Sequence, residues 1–171
     1  MTIREYEEQA AVTATYPEGS MYPYLGLIEE IGEVAGVLAK AERDNGGVID
    51  DERHERLLKE CGDVAWMLAA IARDMGRPLH DLHGPDFASE PEPYPPAVLT
   101  LVSTLAAYAG GLAKWQQYNA SDDREVLEAF EDWQTLCFAL GFSPAEVARA
   151  NIVKLRDRQA RGVIHGEGDN R

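Results

Sequence analysis

The segment Leu27-Ile28-Glu29-Glu30-Ile31-Gly32-Glu33-Val34-Ala35-Gly36-Val37-Leu38 is answered, after a turn, by Leu57-Leu58-Lys59-Glu60-Cys61-Gly62-Asp63-Val64-Ala65-Trp66-Met67-Leu68, and the two match position by position. At about 100° per residue, Leu27, Ile28, Ile31, Val34, Ala35 and Leu38 form one apolar stripe, and Leu57, Leu58, Cys61, Val64, Ala65 and Leu68 form its twin. Glu30 and Glu33 edge the first stripe, and Glu60 and Asp63 edge the second. If the helices pack antiparallel through these stripes, the four acids meet across the seam. Gly32 and Gly62 are then expected to allow close backbone approach.

Four carboxylates converging beside an apolar seam repel, each close pair costing on the order of several kcal/mol at an effective dielectric of about 20. A positive charge is therefore expected among them. The donor set is all oxygen, with no His or Cys in register, which favours a hard cation: Mg²⁺, with Mn²⁺ as a substitute. A single pair of this kind reads as a solvated helix face; two pairs in identical register argue for a site.

Working outward, Thr2 to about Thr15 has the form of a short helix, with Thr2 as N-cap and Glu5 completing a capping box. A tyrosine-rich turn, Tyr16-Pro17-Glu18-Gly19-Ser20-Met21-Tyr22-Pro23-Tyr24, either packs on the core or lines a nucleobase pocket. The first acidic helix is expected over about Tyr22 to Asp44, ended by Asn45-Gly46-Gly47. The second is expected from Asp50 or Asp51 to about Gly76, with His54 on it as a surface or packing residue. Pro78, Pro85, Pro91, Pro93, Pro95 and Pro96 make residues 77–96 a loop, in which His80 and His83 form a weak zinc-type pair.

Helical periodicity resumes from Ala97 to about Tyr118, where Gly110-Gly111 suggests a kink or close helix contact. Ser121 or Asp122 caps a further helix to about Leu140, with Val126, Leu127, Phe130, Trp133, Cys137 and Phe138 facing inward. Ser143-Pro144-Ala145-Glu146 opens the last one with a cap, a first-turn proline and an acid. No alternating strand pattern interrupts the series. The expected fold is an all-α helical bundle of about six helices, forming a single domain over residues 1–171.

Composition narrows the partners. A formal net charge of -14 over 171 residues disfavours polymeric nucleic acid and anionic membranes. No apolar run is expected to span a bilayer, and the polar N-terminus is unlike a signal peptide, so a cytoplasmic location is expected. Cys61 and Cys137 read as buried thiols of a reducing compartment. Against this acidic background, Arg149, Lys154, Arg156, Arg158, Arg161 and Arg171 cluster at the C-terminal end. Asn151, Lys154, Arg158 and Arg161 advance by three or four, a row of donors suited to phosphate; basic residues there also suit the helix dipole.

Glu29-Glu30-x-x-Glu33 followed by Glu60-x-x-Asp63 resembles the EExxE...ExxD signature of the MazG-like all-α nucleoside triphosphate pyrophosphohydrolases and their dimeric dUTPase relatives. The closing Asn151-x-x-Lys154-Leu155-x-x-Arg158-x-x-Arg161-Gly162, running on to Gly166-Glu167-Gly168-Asp169-Asn170-Arg171, is similar to the end of many MazG-like chains. Residues from about Arg77 to Ser143 carry no matching motif.

The resemblance implies a Mg²⁺-dependent enzyme that cleaves a (deoxy)nucleoside triphosphate to the monophosphate and pyrophosphate. Its metal ligands would be Glu30, Glu33, Glu60 and Asp63, with Glu29 positioning the attacking water. Substrate contacts would come from Asn151, Lys154, Arg158 and Arg161. A homodimer is also implied, or a tetramer in its place; Trp66 and Met67, outside the shared stripe, and Trp115 beside Gly110-Gly111 suggest apolar surface available for it. The alternatives are hydrolysis of a related nucleotide such as an alarmone, and a non-enzymatic helical interaction module. A di-iron carboxylate bundle is disfavoured, since it needs Glu-x-x-His pairs where this chain has second acids.

Overall fold

Seven helices form the regular structure of the computed structural model, which describes residues 1–118 and 122–162. They are α1 (Ile3–Ala11), α2 (Tyr22–Asn45), α3 (Asp51–Asp74), α4 (Leu79–Leu82), α5 (Val98–Gln116), α6 (Asp123–Ala139) and α7 (Pro144–Ala160). The fold is all-α, as expected. Ser121, one of the two expected caps, and the 166–171 tail lie outside the described residues. Asp122 caps α6, its carboxylate accepting the Arg124 N–H at 2.9 Å.

The caps follow local chemistry. Thr2 Oγ1 accepts the Glu5 N–H at 3.1 Å while the Glu5 carboxylate accepts the Thr2 N–H at 2.8 Å, a reciprocal capping box that starts α1. Asp50 caps α3 through the Arg53 N–H, and Ser143 caps α7 through the Glu146 N–H. Gly46, at φ 58°, ends α2 in the left-handed region that glycine adopts without strain. The short α4 was not expected within the proline-rich loop. Its first N–H groups, from Leu79 and His80, donate to the Glu7 carboxylate of α1, and Leu79 is buried. A partner distant in sequence thus supplies what the local sequence lacks.

α2 and α3 form the antiparallel hairpin: Gly26 meets Met67, Glu30 stands near Asp63, and farther along Lys40 shares a groove with Arg53. The two helices are not equivalent. α3 is the central element, buried at Leu57, Glu60, Cys61, Gly62 and continuously from Val64 to Ala72, because α1, α2, α6 and α7 all pack on it. α2 buries Leu27, Ile31, Val34, Val37 and Ala41, whereas Ile28, placed in the stripe by periodicity, is 43% exposed. Rotation of the helix brings Val37 inward in its stead.

Two further expectations are corrected by packing. Gly62 does sit at a close approach, but to α7: a Cβ there would lie 2.9 Å from Asn151 Cβ, while at Gly32 a Cβ would meet nothing within 4 Å. The close hairpin contact is at Gly26, against the Met67 side chain. Trp66 and Met67, read as apolar surface left for a subunit interface, are both buried within the chain. The Trp66 indole N–H reaches Thr13 Oγ1 at 3.0 Å and the Ala10 carbonyl at 3.3 Å, so α1 and its C-terminal turn cover it. These two residues therefore lend no support to oligomerisation.

The remaining aromatic and apolar residues settle as follows. Tyr24 is fully buried, and Tyr16 and Tyr22 stack on each other at 5.2 Å and edge against Trp66. Phe130 and Trp133 of α6 stack at 5.3 Å in the core beside Phe87 of the proline-rich loop. Leu127 and Phe138 are only half-buried, and Ala129 and Leu136 take inward positions on α6. Cys61 and Cys137 are buried free thiols, and burial holds the Cys137 thiol well above the usual range. α5 is, by length and composition, apolar enough to cross a membrane, contrary to the reading that no run approaches a span. Its Leu101, Val102, Leu105, Ala109 and Leu112 pack into the bundle core.

Candidate metal centre

Carboxylate oxygens of Glu30, Glu60 and Asp63 lie within 4.8 Å of one another, the single group of three or more potential ligands among the described residues. Glu30 comes from α2, the other two from adjacent turns of α3. The matched spacing places them on facing edges; Glu60 is 4% exposed, while Glu30 and Asp63 are half-buried. Buried carboxylates are costly unless charge or hydrogen bonds compensate.

Compensation comes from three directions. Lys154 of α7 places its ammonium on Asp63 Oδ2. Asn151, one turn earlier and buried, donates from Nδ2 to Asp63 Oδ1 at 3.1 Å, and its own Oδ1 accepts the Tyr6 hydroxyl at 3.1 Å. Burial, with the negative field of Asp63 and Glu7, holds the Tyr6 phenol protonated, so it remains a donor. Arg56, one turn before Glu60, brings its guanidinium to 3.9 Å from Glu60 Oε1.

The compensation is incomplete. Burial pushes the Glu30 carboxyl up to about 8, with Asp63 and Glu33 adding to the rise, Lys154 opposing it and Glu29 contributing least. Near neutral pH Glu30 therefore holds its proton when no further cation is at hand. A cluster of oxygen donors that retains a proton for want of positive charge is one a hard divalent cation fits, because the cation replaces the proton and relieves the repulsion.

The remaining residues named from sequence divide clearly. Glu33 is exposed and outside the three-oxygen group, though near enough to act on Glu30 through its charge. Glu29 is likewise exposed and acts on Glu30 only through space. Asn151, read as a phosphate donor, has its amide committed between Tyr6 and Asp63; it is a positioning residue. Arg158 is half-buried on the Asn151–Lys154 side of α7, one turn beyond Lys154. Arg161 is exposed and hydrogen-bonded through Nε to Asp157 on its own helix at 2.8 Å, the geometry expected of a helix-end pair.

The three histidines among the described residues are engaged elsewhere. His54 donates from Nε2 to the Leu140 carbonyl at 3.1 Å and stacks on Phe142. His80 pairs with Glu7, while His83 lies 3.0 Å from the Gln134 amide. Tyr6 and Arg56 escaped the sequence reading. Tyr6 looks like one more apolar-face residue of α1, and Arg56 like a surface charge; only the docking of α1 and the turn geometry of α3 bring them to the acids. Set against known proteins, the chain matches no family model, no curated protein and no solved structure.

Proposed function

We propose that this chain is a divalent-cation-dependent nucleotide pyrophosphohydrolase of the MazG-like type, splitting a (deoxy)nucleoside triphosphate into the monophosphate and pyrophosphate. The observation that carries the reading is the convergence of Glu30, Glu60 and Asp63 within 4.8 Å beside the Lys154 ammonium. An all-oxygen set suits Mg²⁺, with Mn²⁺ as substitute. When bound, that ion supplies Lewis acidity toward the phosphate oxygens and toward water.

In this reading the protein side chains divide the work. Glu30, Glu60 and Asp63 hold the cation, and Glu33 joins from the next turn of α2. Glu29, at the solvent edge of the cluster, orients the attacking water. Lys154 leaves Asp63 for the phosphate chain at the reacting centre, and Arg158 on the same side of α7 adds a second cation there; prearranged positive groups are most effective where charge grows. Tyr6 and Asn151 keep the Asp63 carboxylate aimed throughout.

A panel of nucleoside triphosphates, deoxynucleotides and alarmones assayed with Mg²⁺ and Mn²⁺, resolving monophosphate from diphosphate products, tests the reading. Release of pyrophosphate with the monophosphate is expected; inert protein across the panel sinks it. One observation favours a second reading, a non-enzymatic helical module: the Tyr6–Asn151–Asp63–Lys154 chain satisfies Asp63 by purely structural means. That reading expects no turnover and no stabilisation by divalent ions. A two-fold homodimer, with a tetramer as its alternative, and a cytoplasmic location remain part of the enzymatic proposal. The assembly now leans on exposed Leu25 and Ile28 of α2 and on Trp115, and light scattering of active protein decides it.

A further inference from the structure

Beyond the carboxylates, the same α2–α3 seam opens into a groove of about 120 Å³ lined by Val37, Lys40, Asp44, Glu52, Arg53 and Arg56. Three cations meet there in a protein whose formal net charge is -14. Arg53 is held in place by Asp50 and, at 3.5 Å, by Asp44. Lys40 is exposed and makes no hydrogen bond or ion pair among the described residues. Arg56 links groove to cluster, its guanidinium 3.9 Å from Glu60, too long for a hydrogen bond and so available to another acceptor.

Resting on the nucleotide reading above, the geometry points to this groove as the subsite for the terminal phosphates, the part of the substrate that leaves as pyrophosphate. Arg56 and Arg53 stand one and two turns before Glu60, about 6 and 10 Å along the axis at 1.5 Å per residue, a reach comparable to a phosphate chain. The carboxylates with their cation would then hold the reacting phosphate, and Lys40, Arg53 and Arg56 the two beyond it. Asp44, already paired with Arg43 and Arg53, and Glu52 also line the groove, so an incoming phosphate competes with them for its cations.

The test is calorimetric titration of inorganic pyrophosphate, with and without Mg²⁺, into the full chain and into Lys40→Ala, Arg56→Lys and the double variant Lys40→Ala/Arg56→Gln. Lys114→Ala, which removes a cation from α5, serves as the charge control. Lys40→Ala should weaken pyrophosphate binding about tenfold, the usual worth of one charge-assisted contact, and the double variant more. Arg56→Lys, which keeps the charge, should weaken binding less than Lys40→Ala does, and Lys114→Ala should change nothing. Undetectable binding to the wild type, unchanged binding in the double variant, or equal weakening by Lys114→Ala would overturn the assignment. Turnover of nucleotides with groove-independent pyrophosphate binding removes the subsite and leaves the function standing. Groove-dependent binding without any nucleotide turnover supports the subsite and removes the pyrophosphohydrolase reading.

Discussion

Replacing Glu30 by Gln keeps the side-chain volume and removes one titration, which isolates the electrostatic state of the acidic cluster. In the folded protein the Glu30 carboxyl is pushed up to about 8 against an ordinary value of 4.5. Because the folded pKa is raised, its contribution to stability is fully present below about 4.5 and is lost as pH rises through about 8. Across that window the unfolded chain has released the proton that the folded chain keeps, so stability falls by about 1.4 kcal/mol per pH unit for each such proton. The whole span, from 4.5 to about 8, gives an upper bound on the order of 5 kcal/mol; with Glu30 partly solvated, less than half, about 2 kcal/mol, is expected. For a chain of 171 residues, 2 kcal/mol corresponds to roughly 4–8 °C in Tm.

Melting curves of wild type and Glu30→Gln in chelator should therefore diverge between pH 5 and pH 9, the variant gaining on the wild type throughout. Adding Mg²⁺ at pH 8 should raise the wild-type Tm and leave the variant nearly unmoved, since binding to the folded state alone stabilises by mass action. A pH-independent difference would refute the electrostatic account of the cluster. A pH-dependent difference with no response to Mg²⁺ or Mn²⁺ would keep that account and discard the metal centre.

The other predictions concern residues around it. Mg²⁺ binding at pH 7 should release close to one proton, measurable by titration in buffers of different ionisation enthalpy; none released would mean Glu30 is not a ligand. Asp63→Ala should abolish turnover and also destabilise by about 1–3 kcal/mol, because it strands the buried Asn151 amide, whereas Glu33→Ala should cost activity with little change in Tm. Lys154→Ala should lower kcat/KM by about 100-fold and Arg158→Ala by less, while Arg161→Ala leaves activity unchanged; equal effects of all three would point to a helix-end role for the group. Gly62→Ala should destabilise by about 1–3 kcal/mol through its collision with Asn151, and Gly32→Ala should stabilise by about 0.5–1 kcal/mol, as thermal denaturation of the pair would show.

How much of this was legible in advance depended on the range of the interactions. The capping box at Thr2, a cap at Asp50 or Asp51, the Ser-Pro start of α7 and the glycine end of α2 act within five residues and were legible from local sequence; the structure chose Asp50. Helical period likewise pointed to four acids, Glu30, Glu33, Glu60 and Asp63, along one seam, of which Glu30, Glu60 and Asp63 meet and Glu33 stands outside. The sequence by itself did not determine which helix would be central. The two matched segments look alike until α1, α6 and α7 choose α3 to pack on; that choice buries Trp66 and Met67, turns Ile28 outward and pairs Gly62 with Asn151 rather than with α2. Only the tertiary structure supplied Lys154 as the positive charge on Asp63, Tyr6 as the anchor of Asn151, and Glu7 as the cap of α4. Each of these joins residues more than seventy positions apart, where chain spacing carries no geometric information and burial alone decides which polar groups must find one another.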